Sequence, residues 1–134
     1  MNSQLLIPMF VHISWAGLLY VLLTIMRAPS IWNIGARKDG SNPWSELEPR
    51  TSANLSNQFE WPLFFYIACI LVLVDGRISD EPYIWLAWVF VVGRVLHSFV
   101  QILTTNIRLR GIVFTINFVA VFGMWAALLV DYFG

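Results

Sequence analysis

An all-α integral membrane protein, a four-helix bundle with up-down topology, is predicted by three features of this sequence. Four apolar stretches each approach the ~20 residues that cross a ~30 Å hydrocarbon core. Hydrophobic residues make up 58% of the chain and charged residues 12%, about half the charged share of a soluble domain. Helices apolar on every face belong in lipid or in a large core, and 134 residues are too few to enclose four of them. Backbone groups in lipid must be satisfied within their own segment, so each stretch reads as a helix.

The stretches fall at about 4–26, 55–74, 83–103 and 112–132, within a single domain spanning 1–134. The first holds one polar intruder, His12 between Val11 and Ile13, read as a packed side chain. Arg27 to Arg50 form the longest connection, broken by Pro29, Gly35, Gly40, Pro43 and Pro49. The second connection, Asp75 to Pro82, is short and acidic; the third, Thr104 to Gly111, carries Arg108 and Arg110. Short connections imply antiparallel neighbours. Lys and Arg concentrate in connections one and three, while the opposite side holds only Arg77. The positive-inside rule therefore puts both termini on the non-cytoplasmic side. Trp32, Trp44, Tyr83, Trp85, Trp88 and Tyr132 sit near segment ends, where amphipathic rings anchor at an interface. No cleavable signal peptide is expected, for want of a basic leading region. The lone Cys69, among Ile67, Ala68, Ile70 and Leu71, excludes an internal disulfide. Zero formal net charge gives no reason to expect nucleic acid, and two well-separated histidines give none to expect a metal.

Two stretches break the apolar pattern. Asn54, Asn57 and Glu60 fall at the head of the second span, and Arg94, His97 and Gln101 within the third. Ionisable groups at such depth are costly and mark function, each with a partner. Glu60 is expected to pair with Arg94 or His97. With the second helix starting near Thr51, Glu60 lies ~13 Å deep, against ~16 Å for Arg94 and ~12 Å for His97. Residues 50, 54, 57 and 61 share one helical face with Glu60 at its edge, and 94, 97, 98 and 101 share another. Facing stripes of this kind imply a polar cavity open toward the cytoplasm, with Arg108 and Arg110 at its mouth. Arginine grips carboxylate in a bidentate fork, Glu60 suits an ammonium, and Asn57 and Gln101 suit amides. Glutathione has this pattern of groups, although many small anions fit the same charges. A cationic site also favours a thiolate.

These residues carry a resemblance to the MAPEG family, the membrane-associated proteins in eicosanoid and glutathione metabolism. It covers nearly the whole chain. The pattern of an arginine, then Asn-x-x-Glu closely followed by proline, is similar to Arg50, Asn57, Glu60 and Pro62. Gly-Arg-x-x-His is matched by Gly93, Arg94 and His97, and the arginine opening the fourth helix by Arg110. The resemblance implies a homotrimer with glutathione as co-substrate, bound between neighbouring subunits near the cytoplasmic side. It implies binding roles for Arg50, Asn57, Glu60, Arg94 and His97, and a catalytic role for Arg110 in stabilising the thiolate; Arg94 is read as a brace for Glu60. Gln101 joins the binding set from the polar stripe.

The sequence also departs from the family pattern. Ala53 and Ser56 stand where eicosanoid enzymes often carry further arginines, Gln101 where an aromatic hydroxyl is common, and Gly111 where one branch has serine. Thiol activation by Tyr or Ser at those positions is absent. The expected function is a glutathione transferase or peroxidase acting on lipophilic electrophiles that arrive from the bilayer, in a bacterial inner membrane rather than endoplasmic reticulum. The competing expectation is a non-enzymatic membrane subunit or lipid-binding protein whose polar layer is structural. Transport is the third class, disfavoured because no broken helix pair or inverted repeat is legible.

Overall fold

The computed structural model describes residues 3–76, 78 and 80–134. Arg77, the one basic residue expected in the second connection, lies outside the described residues. After a single 3-10 turn at Ser3–Leu5 come α1 (Leu6–Trp32), α2 (Leu47–Asn57), α3 (Pro62–Val74), α4 (Glu81–Leu103) and α5 (Ile107–Phe133). Four helical segments are long and apolar enough to span a membrane, with α2 and α3 together making one of them, Leu47–Val74. Less than half of each span is buried in the protein. The rest presents large apolar side chains such as Phe10, Val74, Ile112 and Phe133 outward, as lipid-facing helices do.

Each helix runs further than the apolar stretches alone indicate. α1 continues through Arg27 and Pro29 to Trp32, where Asn33 adopts a left-handed conformation (φ 57°) and ends it. α2 begins at Leu47, so the first connection shrinks to residues 33–46. It is held down by Asn42, whose Nδ2 donates to Met26 O (2.9 Å) and Ser30 Oγ (2.8 Å) while its Oδ1 accepts from Trp44 N (2.8 Å). In the same connection, hydrogen bonds from Ser41 side chain and backbone hold the Asp39 carboxyl below its usual range. α5 starts at Ile107 because Asn106 caps it, Oδ1 accepting from Leu109 N at 3.0 Å. Arg108 and Arg110 therefore lie in the first turn of a helix, not in a loop. Arg27 Nε meets Glu48 Oε1 at 2.8 Å and ties α1 to α2.

The second span is interrupted. Pro62 has no N–H to donate four residues back, so the i→i−4 ladder fails at this point. The chain crosses the gap on tighter bonds, Gln58 N to Leu55 O, Phe59 N to Ser56 O and Leu63 N to Glu60 O, each reaching back three residues. Pro62 then occupies the first position of α3, where its fixed φ suits a new helix. The span expected to be continuous thus breaks beside Glu60.

α4 packs most extensively on α5, α1 on α2 and α4, α2 on α4, and α3 on α5. Two apolar clusters result. The larger is built around Phe65, Tyr83, Phe90 and Met124, with Phe65 and Phe90 stacked at 4.2 Å between ring centres. The smaller joins Leu19, Leu23, Leu55 and Ile102. Buried polar side chains fill the layer between them. α4 and α5 approach closely at Gly93, where a Cβ would collide with Asn117 Oδ1 and lie 3.3 Å from Ile116 Cγ2. Gly93→Ala is therefore expected to lower the thermal midpoint in detergent, costing about 1–3 kcal/mol. Gly17→Ala, with nothing within 4 Å of the added carbon, should leave the midpoint unchanged or slightly raised in the same assay.

Candidate functional site

The polar layer is one connected network with a determinable direction. It starts at Arg94, on α4, which is wholly buried. Guanidinium groups only donate, so Arg94 Nε–H fixes Gln58 Oε1 as its acceptor at 3.2 Å. Gln58 Oε1 also receives His12 Nε2–H at 2.9 Å, which leaves His12 Nδ1 to accept from the Tyr66 hydroxyl at 2.6 Å. Gln58 Nε2 then donates to Asn54 Oδ1 (3.1 Å) and Asn54 O (3.2 Å). Asn54 Nδ2 donates onward to Gln101 Oε1 at 2.8 Å and to His97 Nδ1 at 3.4 Å. Asn57 Nδ2 reaches the same Gln101 oxygen at 3.3 Å. A second donor-only group agrees with this direction. Trp15 Nε1–H donates to Ser98 Oγ (2.9 Å), and Ser98 in turn donates to Asn54 Oδ1 (2.6 Å).

Asn54 is thereby fully satisfied, with both lone-pair directions and both N–H bonds in use, and it is wholly buried. Arg94 is not. Its Nη1 and Nη2 are buried without a hydrogen-bond partner among the described residues, as are the amide atoms of Asn117.

Beside the network lies an open cleft of about 380 Å³ between the α2, α4 and α5 ends. Arg50, Gln101, Thr104, Thr105, Asn106 and Arg110 supply its polar walls, and no Asp or Glu lines it. Arg50 Nη1 rests on Ile102 O at 3.4 Å. Arg110 projects from the first turn of α5, where the helix dipole is already positive. A cation at a helix start is locally unfavourable, so an anion is the natural complement of this wall.

The seven sequence-derived positions divide into three groups. Asn57, Arg94, His97 and Gln101 belong to the network; Arg50, Gln101 and Arg110 line the cleft. Glu60 joins neither. Its pairing with Arg94 or His97 is not formed in the protomer, because residue 60 lies off the face that buries Thr51, Asn54 and Gln58, and Gln58 is the Arg94 acceptor. The Glu60 carboxylate is exposed and makes no hydrogen bond or ion pair with any described residue. Gln58, Trp15 and Tyr66 were not singled out from sequence. Gln58 was findable, since it lies four residues past Asn54 on one helical face; Trp15 and Tyr66 look like ordinary span aromatics.

Such a structure defines a polytopic α-helical membrane protein with a buried polar layer and a cationic cleft against it. The model of the MAPEG family matches residues 5–130, and the chain belongs to that family. No match was found among curated proteins or solved structures.

The network yields a graded prediction. Gln58→Leu strips Arg94 of its one side-chain acceptor and should lower stability by about 3 kcal/mol or more, because it strands a buried charge. Tyr66→Phe removes one peripheral hydrogen bond and should cost about 1 kcal/mol. Thermal unfolding of the two variants in detergent checks the ordering.

Proposed function

We propose that this protein is a glutathione-dependent transferase or peroxidase acting on lipophilic electrophiles. The observation that carries the reading is the cleft: two arginines and two amides line it and no carboxylate opposes them. Membership of a family that includes glutathione transferases and peroxidases points the same way. Arg50 and Gln101 hold a carboxylate and a peptide group, and Asn57 offers its free Oδ1 to a peptide N–H. Arg110 stabilises the thiolate by its charge, with the positive end of α5 beneath it. In conjugation, the sulfur lone pair forms a C–S bond at the electrophilic carbon; in substitution the leaving group departs toward water, and in addition the π bond breaks and the resulting carbanion takes a proton from water. In peroxide reduction, the thiolate attacks the terminal oxygen, an S–O bond forms as the O–O bond breaks, and the departing alkoxide takes up a proton to leave as alcohol. The glutathione sulfenic acid then condenses with a second glutathione to give the disulfide and water. Rate acceleration then comes from proximity and from charge aimed at the sulfur.

The exposed Glu60, without a partner in the protomer, supports an assembly in which a neighbouring subunit and the ligand ammonium cover it. A homotrimer with glutathione between subunits meets this need, with Arg94 and His97 shaping the wall behind it. The basic residues of connections one and three support a cytoplasmic cleft, with both termini on the other side of a bacterial inner membrane.

One observation favours a second reading. Asn54, Asn57 and Gln101 use amide groups on one another, as a structural layer would. In that case the protein is a non-enzymatic subunit or a lipid-binding protein.

Millimolar glutathione is expected to raise the thermal midpoint of the purified protein, since a ligand of the native state adds stability. Conjugation of a generic hydrophobic electrophile should accompany it, and Arg110→Ala should lower turnover about tenfold or more with a smaller change in affinity. An unmoved midpoint together with absent conjugation sustains the structural-layer reading instead.

A further inference from the structure

The direction of the buried network reaches the cleft at a single atom. Gln101 Oε1 accepts two N–H groups, from Asn54 at 2.8 Å and from Asn57 at 3.3 Å. The other end of that amide, Nε2, hydrogen-bonds to no described residue, and Gln101 lines the cleft. Which end faces outward is not free to vary. Arg94 can only donate, and through Gln58 it makes Asn54 Oδ1 an acceptor, to which Ser98 Oγ also donates. Turning the Asn54 amide over would set N–H against N–H at Gln58, so Asn54 must offer its own N–H to Gln101.

We propose that Asn54 is a positioning residue that locks Gln101 with its N–H2 toward the cleft, so that the cleft takes an anionic acceptor, a carboxylate, and rejects a donor. The other fixed groups agree in sign. Asn106 Oδ1 is occupied by Leu109 N, so its Nδ2 is the end left for a ligand, while the Thr104 hydroxyl is the exception, its hydrogen committed to Val100 O. Arg50 and Arg110 only donate. An unlocked Gln101 would turn its oxygen outward half of the time and blur the selection. One buried donor on α4, not itself lining the cleft, thus sets the sign of the ligand through three links. The proposal rests on the glutathione reading only for the identity of one probe.

The test is a double-mutant cycle read by ligand-induced thermal shift on the full-length protein in detergent, with glutathione and glutarate as separate probes. Asn54→Asp keeps the acceptor for Gln58 and Ser98 but has no N–H for Gln101, whose amide then turns its oxygen into the cleft. Affinity for both probes should fall about tenfold or more. Gln101→Met has no amide to orient, so adding Asn54→Asp to it should change affinity by less than about threefold. A merely structural Asn54 would lower affinity as much in the Met background as in the wild type, and that result overturns the proposal. Where Asn54→Asp fails to fold, Gln101→Glu decides: it keeps both internal bonds and places an anionic oxygen outward, so it must bind glutarate more weakly than Gln101→Met does. Equal affinities overturn the proposal, as does a wild-type protein shifted by neither probe. A shift by glutarate alone, lost in Asn54→Asp, leaves the positioning role standing and removes glutathione as the ligand.

Discussion

A guanidinium buried at mid-membrane, with one side-chain acceptor, is the constraint from which most of this structure follows. Arg94 cannot accept a hydrogen bond and cannot reach water, so whatever faces it must accept. Gln58 does so, and its own amide is then committed to Asn54. From there the order passes to Gln101 and His97 on one side, and through His12 to Tyr66 on the other. Helices α1, α2 and α4 are joined by this one set of bonds, between two apolar clusters that on their own would tolerate sliding or rotation. Packing of hydrocarbon on hydrocarbon gives little orientational preference in lipid, where the surroundings are equally apolar. Directional bonds in the middle layer give the register.

The interruption of the second span belongs to the same arrangement. Thr51, Asn54, Leu55 and Gln58 are buried in step along one face of α2, with residue 60 off it. Pro62 breaks the ladder, and the chain passes residues 58 to 61 on tightened turns. Gln58 comes to face Arg94, Glu60 faces out, and Trp61 donates to Asn117 O at 3.3 Å while stacking on Phe118 at 4.9 Å.

Fold class was legible because apolar run length is a strong signal in a short chain. Helix ends were less legible: Asn106 begins α5 through a cap that hydropathy does not register, and α1 runs through Pro29. Among the site residues, Arg50, Gln101 and Arg110 could be placed together from helical phase and depth. The expected Glu60–Arg94 contact failed because Glu60 sits at the edge of its helical face, while Gln58, four residues past Asn54, points straight at the arginine. His12 looked isolated in sequence since its partners, Gln58 and Tyr66, lie 46 and 54 residues away. No local spacing can reveal a bond of that range.

The spans also differ in length. α4 has 23 residues, whereas α1 and α5 have 27 and the interrupted span 28. At 1.5 Å per residue these are roughly 35 Å against 40 Å and more. The central helix is therefore the gauge for hydrophobic matching, and the three around it must tilt away from the bilayer normal or extend into the headgroups. A thinner bilayer would increase that tilt, shearing the outer helices against α4 at the level where the directional bonds cross between them. Membrane thickness thus acts on the same layer that orders the cleft.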